Sequence, residues 1–179
     1  MEKNTKTGLL RPDILFRSIY EITPDFLLEQ GIRGVIFDID NTIAPYEIEE
    51  PTERMKTYLN SLRDRDIQIA FVTNNHDKRV SRFNRELGFP YYSKAKKPFP
   101  GGVKAALKGF GLPAEQVLAV GDQLFTDCLS AHLSHIRFYI VPPIRDRKTA
   151  FFRMKRTLEK PFLKSLKSYP EYLNAERED

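Results

Sequence analysis

Several features that mark special classes of protein are scarce in this sequence. Its 179 residues include one cysteine, which excludes an intramolecular disulfide framework and suits a reducing compartment. No run approaches the roughly 18 apolar residues that a membrane-spanning helix needs. Residues 1–7 are polar and lack the apolar core of a signal peptide. We therefore expect a cytoplasmic protein.

The composition is that of an ordinary folded protein. Apolar residues make up 41% of the chain and charged residues 30%, which argues against wholesale disorder. The length favours a single domain, in which helices cover both faces of a sheet. We divide the chain into an N-terminal arm (1–30), a core (about 31–145), a basic helical segment (146–168) and a tail (169–179).

One stretch around residue 38 organises the chain. Residues 35–38 have the pattern of a buried parallel strand, a short apolar run that stops abruptly at carboxylates. Asp38, Asp40 and Thr42 follow at steps of two, which on extended backbone points all three side chains the same way. Two crowded carboxylates repel each other unless a cation or a shared proton intervenes. Mg²⁺, a hard ion that prefers oxygen ligands, would satisfy them. A plain polar turn after a strand is the alternative.

Further apolar runs alternate with helical patterns, which predicts an α/β fold with a mostly parallel sheet of about five strands. In such sheets, ligands bind beyond the carboxyl ends of the strands, where the strand order reverses. Three predicted strand ends carry polar groups: Asp38 with Asp40, Thr73 with Asn74, and Asp122. We therefore expect the functional site at this edge of the sheet.

Each part of a phosphate-transfer site has a candidate residue in this sequence. Asp38 is a candidate nucleophile, and Asp40 a candidate general acid and base. Lys97 would neutralise the charge of the carboxylate and the phosphate. The candidate substrate-binding residues are Thr42, Thr73, Asn74 and Lys97, and the candidate metal ligands are Asp38, Asp40, Asp122 and Asp127, the last directly or through water.

Four short motifs between residues 34 and 127 carry a family resemblance. They are Asp38-x-Asp40-x-Thr42, Thr73-Asn74, Lys97-Pro98 and Gly121-Asp122-x-x-x-Thr126-Asp127. In order and spacing, the chain resembles the haloacid dehalogenase superfamily of phosphatases, which implies a Rossmann-like fold. Its flanks resemble, more loosely, the YqeG-type phosphatases, which are related to mitochondrial phosphatidylglycerophosphate phosphatases. The resemblance implies Mg²⁺ bound by Asp38, the Asp40 carbonyl and Asp122. It also implies that Asp38 is the nucleophile and Asp40 the acid and base, a division that spacing alone leaves open.

The spacing of the motifs leaves no room for a cap domain over the site. Thr42 and Pro51, where we expect a helix to begin, are nine positions apart. Thr73 and Lys97 are 24 apart, a distance already filled by one helix and one short strand. We therefore expect an open site, suited to a bulky substrate or to one presented on a surface.

The positive charge of the chain is concentrated near its C-terminus. Residues 145–168 hold nine Lys or Arg against two acids, although the whole chain carries only +5. An apolar stripe runs through the same segment: Phe151, Met154, Leu158, Phe162 and Leu166. A basic amphipathic helix over 149–168 would allow peripheral contact with the inner, anionic face of a membrane. Alternatively, the stripe packs on the protein's own sheet and the charges are solvated.

The leading hypothesis is a Mg²⁺-dependent phosphomonoester hydrolase that works through an aspartyl-phosphate. Phosphatidylglycerophosphate, hydrolysed to phosphatidylglycerol, is the favoured substrate on the strength of the resemblance. Another phosphate ester (a phosphoprotein, a nucleic-acid end or a sugar phosphate) is the alternative, and a non-catalytic module that binds RNA or a membrane is a third. Nucleic acid is not an expected partner of the enzyme, and the sequence does not predict an oligomeric state. We expect structural roles for His132, His135 and Cys128.

Overall fold

The structure, a computed structural model, describes residues 8–145, 157–158 and 161–162. Within these ranges the strands form one sheet of six, in the order β1-β6-β5-β2-β3-β4, and all neighbours pair in parallel. The strands are β1 (Ile14–Leu15), β2 (Gly34–Phe37), β3 (Gln68–Val72), β4 (Tyr91–Tyr92), β5 (Val117–Gly121) and β6 (Arg137–Ile140). The predicted parallel α/β architecture is confirmed.

Helices connect the strands and begin and end at residues suited to those positions. They are α1 (Pro24–Glu29), α2 (Glu53–Arg63), α3 (Asp77–Asn84), α4 (Gly101–Phe110) and α5 (Leu129–His132). The hydroxyl of Thr23 accepts a hydrogen bond from the backbone N–H of Phe26 at 3.2 Å and caps α1. Gly111 ends α4 with a φ of +64°, a left-handed conformation that glycine adopts without strain.

The helices cover both faces of the sheet. Along β2, Val35 and Phe37 belong to one apolar core and Ile36 to the other, as the period of two in a strand requires. The first core packs against α1, α2 and α3, and the second against α4 and α5. A sheet buried on both faces explains why the predicted strands are continuous apolar runs.

The strand order reverses beside β2. From β2 the chain moves outward to β3 and β4, and it then returns to the other side of β2 to form β5 and β6. In register, Phe37 lies between Phe71 of β3 and Val120 of β5. The residues that follow these three positions therefore surround the crevice where parallel sheets of this kind bind ligands.

Two details of the fold differ from the sequence-based expectation. The sheet has a sixth strand, because Ile14 and Leu15 in the N-terminal arm pair with β6 at the edge. A strand of two residues is too short to show a periodic pattern. Helix α2 begins at Glu53 rather than at Pro51, because the side chain of Thr52 accepts from the backbone N–H of Met55 and caps the helix there.

The described part of the chain contains no inserted domain beside the crevice. A loop joins Thr42 to α2, and only α3 and β4 lie between Thr73 and Lys97. No helix among these residues is long and apolar enough to cross a membrane. Residues 157, 158, 161 and 162 are helical, but most of the basic segment (146–168) and the whole tail (169–179) lie outside the described residues. The division into arm, core, segment and tail stays a prediction.

Candidate active site

The carboxylate of Asp38 lies at the centre of the site. Asp38 follows β2 directly, is 9% exposed, and donates its backbone N–H to the carbonyl of Val120 at 3.0 Å. The chain then turns, and Asn41 has a φ of +66°, so the backbone is not extended beyond the strand. This turn brings the Thr42 hydroxyl back to 3.5 Å from the Asp38 Oδ2 atom. The side chain of Thr42 is buried beside the nucleophile candidate.

The ammonium of Lys97 joins three elements of the site. Its Nζ donates to Asp38 Oδ1 at 2.7 Å, to Asp127 Oδ1 at 2.5 Å and to the carbonyl of Val72 at 2.8 Å. The Asn74 side chain holds the backbone of Lys97 from both sides, donating to its carbonyl at 3.0 Å and accepting from its N–H at 2.6 Å. The neighbouring Lys96 is exposed, so Lys97 is the lysine of this site.

Three carboxylates meet beneath this lysine. Oxygens of Asp38, Asp122 and Asp127 lie within 4.8 Å of one another, and all three residues are buried. Asp127 comes from a π-helical turn (Leu124–Cys128) that follows β5. A Cβ on Gly121 would lie 2.6 Å from the Asp127 carboxylate, so only glycine at this position allows Asp127 to approach the strand end.

Burial and charge shift the ionisation of the two central groups. Burial raises the pKa of the Asp38 carboxyl well above its usual range, Asp127 and Asp122 push it the same way, and Lys97 opposes them. Burial alone would lower the pKa of Lys97, but the charges of Asp127 and Asp38 outweigh burial and raise it. Lys97 therefore stays a cation that offsets part of the negative charge.

The donor set fits a hard divalent cation. Three buried carboxyl groups face one ammonium, so ionisation of all three would leave an excess of negative charge that water does not screen. Oxygen donors of this kind suit Mg²⁺. The carboxylate of Asp40 lies outside the three-carboxylate group, so a ligand from Asp40 would be its backbone carbonyl, as the family resemblance implies.

The carboxylate of Asp40 is held by two residues that sequence reasoning missed. Asn75 Nδ2 donates to Asp40 Oδ2 at 2.9 Å, and Arg79 Nη2 donates to Oδ1 at 3.3 Å. Arg79 and Arg82 lie on α3 and Arg85 directly follows it; the partners of Arg82 and Arg85 are Glu49 and Glu50. Only the position of Asn75 directly after Thr73-Asn74 hinted at this arrangement.

A cavity of about 340 Å³ opens above these groups. Asp38, Asp40, Thr73, Lys97 and Asp127 all line it, whereas the predicted ligand Asp122 is fully buried and the predicted substrate-binding Thr42 lines a different cavity. The Thr73 hydroxyl accepts the backbone N–H of Asn75 at 3.1 Å, which fixes the turn after β3. The side chain of Asn74 is engaged with Lys97, but Asn74 also lines the cavity.

His132 and Cys128 lie away from this cavity. His132 Nδ1 contacts the carbonyl of Leu9 at 2.9 Å and its Nε2 contacts Asp13 Oδ2 at 3.3 Å. The thiol of Cys128 is buried and lies 3.5 Å from the same carbonyl. These contacts attach the N-terminal segment to α5, whereas His135 lies in the turn after it with a φ of +60°.

Comparisons with known proteins identify the family. The model of the haloacid dehalogenase-like hydrolases matches residues 44–134, which include Thr73, Lys97, Asp122 and Asp127. A relative described as "Probable phosphatase YqeG" of Bacillus subtilis is 31% identical over 156 residues, covering 87% of this chain and 91% of the relative. The chain belongs to the haloacid dehalogenase-like hydrolases.

Two further similarities concern this hydrolase. The phosphatidylglycerophosphate phosphatase 1 of Arabidopsis thaliana is 25% identical over 163 residues, which cover 86% of this chain but 47% of that entire protein. The cobalt-bound deoxy-D-mannose-octulosonate 8-phosphate phosphatase of Haemophilus influenzae superposes with a TM-score of 0.53 at 17% identity, covering 76% of this hydrolase and 90% of that chain. The second likeness concerns the fold alone.

Proposed function

We propose that this hydrolase is a Mg²⁺-dependent phosphatase that forms an aspartyl-phosphate on Asp38. The observation that carries the proposal is the position of Asp38, which lies between the Lys97 ammonium and two further buried carboxylates at the switch point of the sheet. Burial and the two neighbouring acids favour the protonated form of Asp38, which cannot attack phosphorus, so the proposed nucleophile needs both the Lys97 ammonium and a bound divalent cation beside it.

The proposed reaction has two steps. An Asp38 oxygen attacks phosphorus, the bond to the ester oxygen breaks, and Asp40 gives its proton to the leaving alkoxide. Asp40 then takes a proton from water, whose oxygen attacks the phosphorus and releases Asp38 and inorganic phosphate. Asn75 and Arg79 hold Asp40 for both transfers, and Lys97 stabilises the charge that develops near Asp38.

The metal would be held by Asp38, Asp122, the Asp40 carbonyl and, directly or through water, Asp127. When bound, Mg²⁺ would neutralise phosphate oxygens and the approaching carboxylate. Thr42, Thr73 and Asn74 stay predicted substrate-binding residues. Thr73 has the better case of the last two, because the amide atoms of Asn74 are both used by Lys97.

For the substrate, we propose a phosphatidylglycerophosphate-type lipid. Two observations support it: the phosphatidylglycerophosphate phosphatase of Arabidopsis matches 86% of this chain, and the described residues place no inserted domain over the cavity. A site without a cover suits a phosphate that is presented at a surface and whose remainder stays outside.

The test is phosphate release with Mg²⁺ by wild type and by Asp38→Asn. The substrates are phosphatidylglycerophosphate in mixed micelles and a panel of soluble phosphomonoesters. We expect turnover of the lipid, reduced by a factor of about 10⁴ or more in the variant because the nucleophile is gone. Turnover of soluble esters alone would retain the mechanism and reject the lipid. Full activity of Asp38→Asn would reject the mechanism, and absence of any turnover beside salt-sensitive RNA binding would favour a binding module.

A further inference from the structure

A second cavity, of about 290 Å³, lies on the other side of the loop that follows Asp40. Its apolar lining comes from four parts of the chain, namely the N-terminal arm, the 43–48 loop, the start of α2 and the exit of β6. The principal apolar residues are Ile19, Ile43, Ile48, Met55, Val141 and Ile144. We refer to this cavity as the apolar cleft.

The apolar cleft and the catalytic cavity share one wall. Thr42 lines the cleft, and its hydroxyl lies 3.5 Å from Asp38 Oδ2 on the other side. The backbone N–H of Ile144 donates to the carbonyl of Asn41 at 3.1 Å, so the β6 exit and the catalytic loop form one rim between the two cavities. Asn41 lines the catalytic cavity and Ile144 lines the cleft, so this hydrogen bond joins the two linings.

Cations surround the mouth of the cleft. Arg17, Arg54 and Arg145 line it, and none of the described lining residues is acidic. Arg17 is held by Glu21, which accepts from both its guanidinium and its backbone N–H, whereas the pair between Arg145 and Glu47, at 4.0 Å, is solvent-exposed. An exposed pair of this kind contributes little, so an anionic group at the rim can compete for Arg145.

We propose that the apolar cleft binds an acyl chain of an anionic glycerophospholipid whose terminal phosphomonoester is bound at Asp38. This inference rests on the proposed phosphatase function and deepens it by assigning the apolar part of the substrate. A glycerol backbone would cross the rim near Thr42, and the arginines would face its charged groups. The volume lies at the lower end of the range for ligand pockets, which suits one chain rather than two.

The first experiment needs no variant. Wild-type enzyme is given glycerophosphoglycerol phosphate, the deacylated form of phosphatidylglycerophosphate, and its 1-acyl derivatives with chains of four, six, eight and ten carbons, each as dissolved monomers. If the chain enters the cleft, kcat/KM rises about three- to fourfold for each methylene that is buried and then stays constant once the cleft is full. A flat series would overturn the proposal.

The second experiment compares two tryptophan variants. Ile48→Trp fills the cleft from a half-buried position, whereas Leu133→Trp places the same ring at an exposed position after α5, on the opposite face of the sheet. We expect Ile48→Trp to remove the dependence on chain length and to leave hydrolysis of para-nitrophenyl phosphate within about twofold, since that ester does not reach the cleft. Leu133→Trp should behave as wild type on both. An unchanged series in a folded Ile48→Trp would contradict the assignment.

Calorimetry separates this inference from the proposed function. The acyl series is titrated into Asp38→Asn, which needs no turnover to report binding. If no ester is hydrolysed but affinity still rises with chain length, the proposed function fails and the cleft assignment stands. If esters are hydrolysed but affinity does not depend on chain length, the cleft assignment fails alone. The latter result, together with loss of thermal stability in Ile48→Trp, would indicate that residues of this chain beyond 145 occupy the cleft.

Discussion

The two sides of β2 contribute opposite charges to the site. The side of β3 and β4 supplies cations and amide donors: Lys97, Arg79 and Asn75. The side of β5 supplies carboxylates, Asp122 and Asp127. Asp38 and Asp40, which follow β2, lie between these two sides. Asp38 contacts groups from both of them. The Asp40 side chain accepts hydrogen bonds from Asn75 and Arg79, which both come from the β3 side.

Asp38 and Asp40 are only two residues apart but have different surroundings. Asp38 is buried among like charges that raise its pKa, and one ammonium compensates them. Asp40 is held by an amide and a guanidinium at the edge of the cavity. Unequal surroundings allow neighbouring carboxylates to do different chemistry. Burial and like charges alone favour the protonated form of Asp38, so its proposed role as nucleophile requires a cation bound beside it.

We expect the greatest loss of activity when the Lys97 ammonium is removed from the β3 side. Lys97→Met leaves three buried carboxylates facing one another, so we expect kcat to fall about 10³-fold. Without Mg²⁺ the free energy of unfolding should fall by about 3–5 kcal/mol, because a buried charge loses its partner. Chemical denaturation with and without Mg²⁺ measures this, and Mg²⁺ should restore part of the loss. Lys96→Met, at the exposed neighbour, is the matched control.

On the β5 side, a substitution at Gly121 can displace the Asp127 carboxylate without removing it. Gly121→Ala places a Cβ 2.6 Å from the Asp127 carboxylate, which must move away from Lys97. We expect kcat to fall about 10²-fold, the effect of a misplacement of about 1 Å, and the Mg²⁺ concentration for half-maximal activity to rise. Gly101→Ala is the control, because its Cβ would meet nothing within 4 Å. Equal behaviour of the two variants would contradict the role of Gly121.

The partners of Asp40 offer a finer test. Arg79→Ala should lower kcat/KM about tenfold for alkyl phosphates, whose leaving group needs a proton, and much less for para-nitrophenyl phosphate. Arg79→Lys should recover part of the loss, since it keeps the charge. Arg82→Ala, which removes only an exposed pair with Glu49, should change neither substrate. A loss equal for both esters would indicate a structural rather than a positioning role for Arg79.

We expect a weaker effect from the pair of His132 and Asp13, which lies outside the site. Burial alone would lower the pKa of His132, but hydrogen bonds to Asp13 and to the Leu9 carbonyl raise it. Burial alone would raise the pKa of Asp13, but the hydrogen bonds from His132 and the Phe138 backbone N–H, together with the charges of His132 and Arg137, lower it. Both ring nitrogens of His132 face acceptors, so only the imidazolium can donate to both.

The pair should therefore stabilise the fold within a limited pH range. The contribution of His132 is fully present below its unfolded pKa, about 6.5, and is lost as pH rises through its higher folded value. The contribution of Asp13 is present above its unfolded pKa, about 3.9, and is lost as pH falls through its lower folded value. Asp13→Asn should cost less than about 1 kcal/mol at pH 5–6 and almost nothing at pH 9, as measured by urea denaturation. An equal loss at both pH values would contradict an ionic role.

The acids of the site could be predicted because they directly follow apolar strands. Asp38 and Asp122 mark the ends of β2 and β5, and chain order alone places such ends at one edge of a parallel sheet. Lys97 was predicted through its motif, although nothing in its local pattern separates it from Lys96. The distinction is tertiary, because Asn74 binds the backbone of Lys97 from 23 positions away.

Arg79 and the short strand β1 could not be predicted for the same reason. Three arginines, two on α3 and one directly after it, follow one another at steps of three. Only the folded loop decides that Arg79 reaches Asp40 while the other two reach glutamates. Ile14 and Leu15 become a strand only because the exposed edge of β6 accepts them. In both cases the local sequence permits several partners, and a contact between distant segments selects one.

The uncovered cavity has a consequence for the fate of the phosphoryl group. Enzymes that close over their substrate keep reactive intermediates away from competing acceptors. Here the described residues form no such cover, so phosphorylated Asp38 would face whatever the solvent contains. Small alcohols such as glycerol then compete with water in proportion to their concentration. In concentrated alcohol the same chemistry would synthesise phosphate esters. The ratio of phosphoryl transfer to water and to alcohol would then depend on the concentrations of the two acceptors in the solvent.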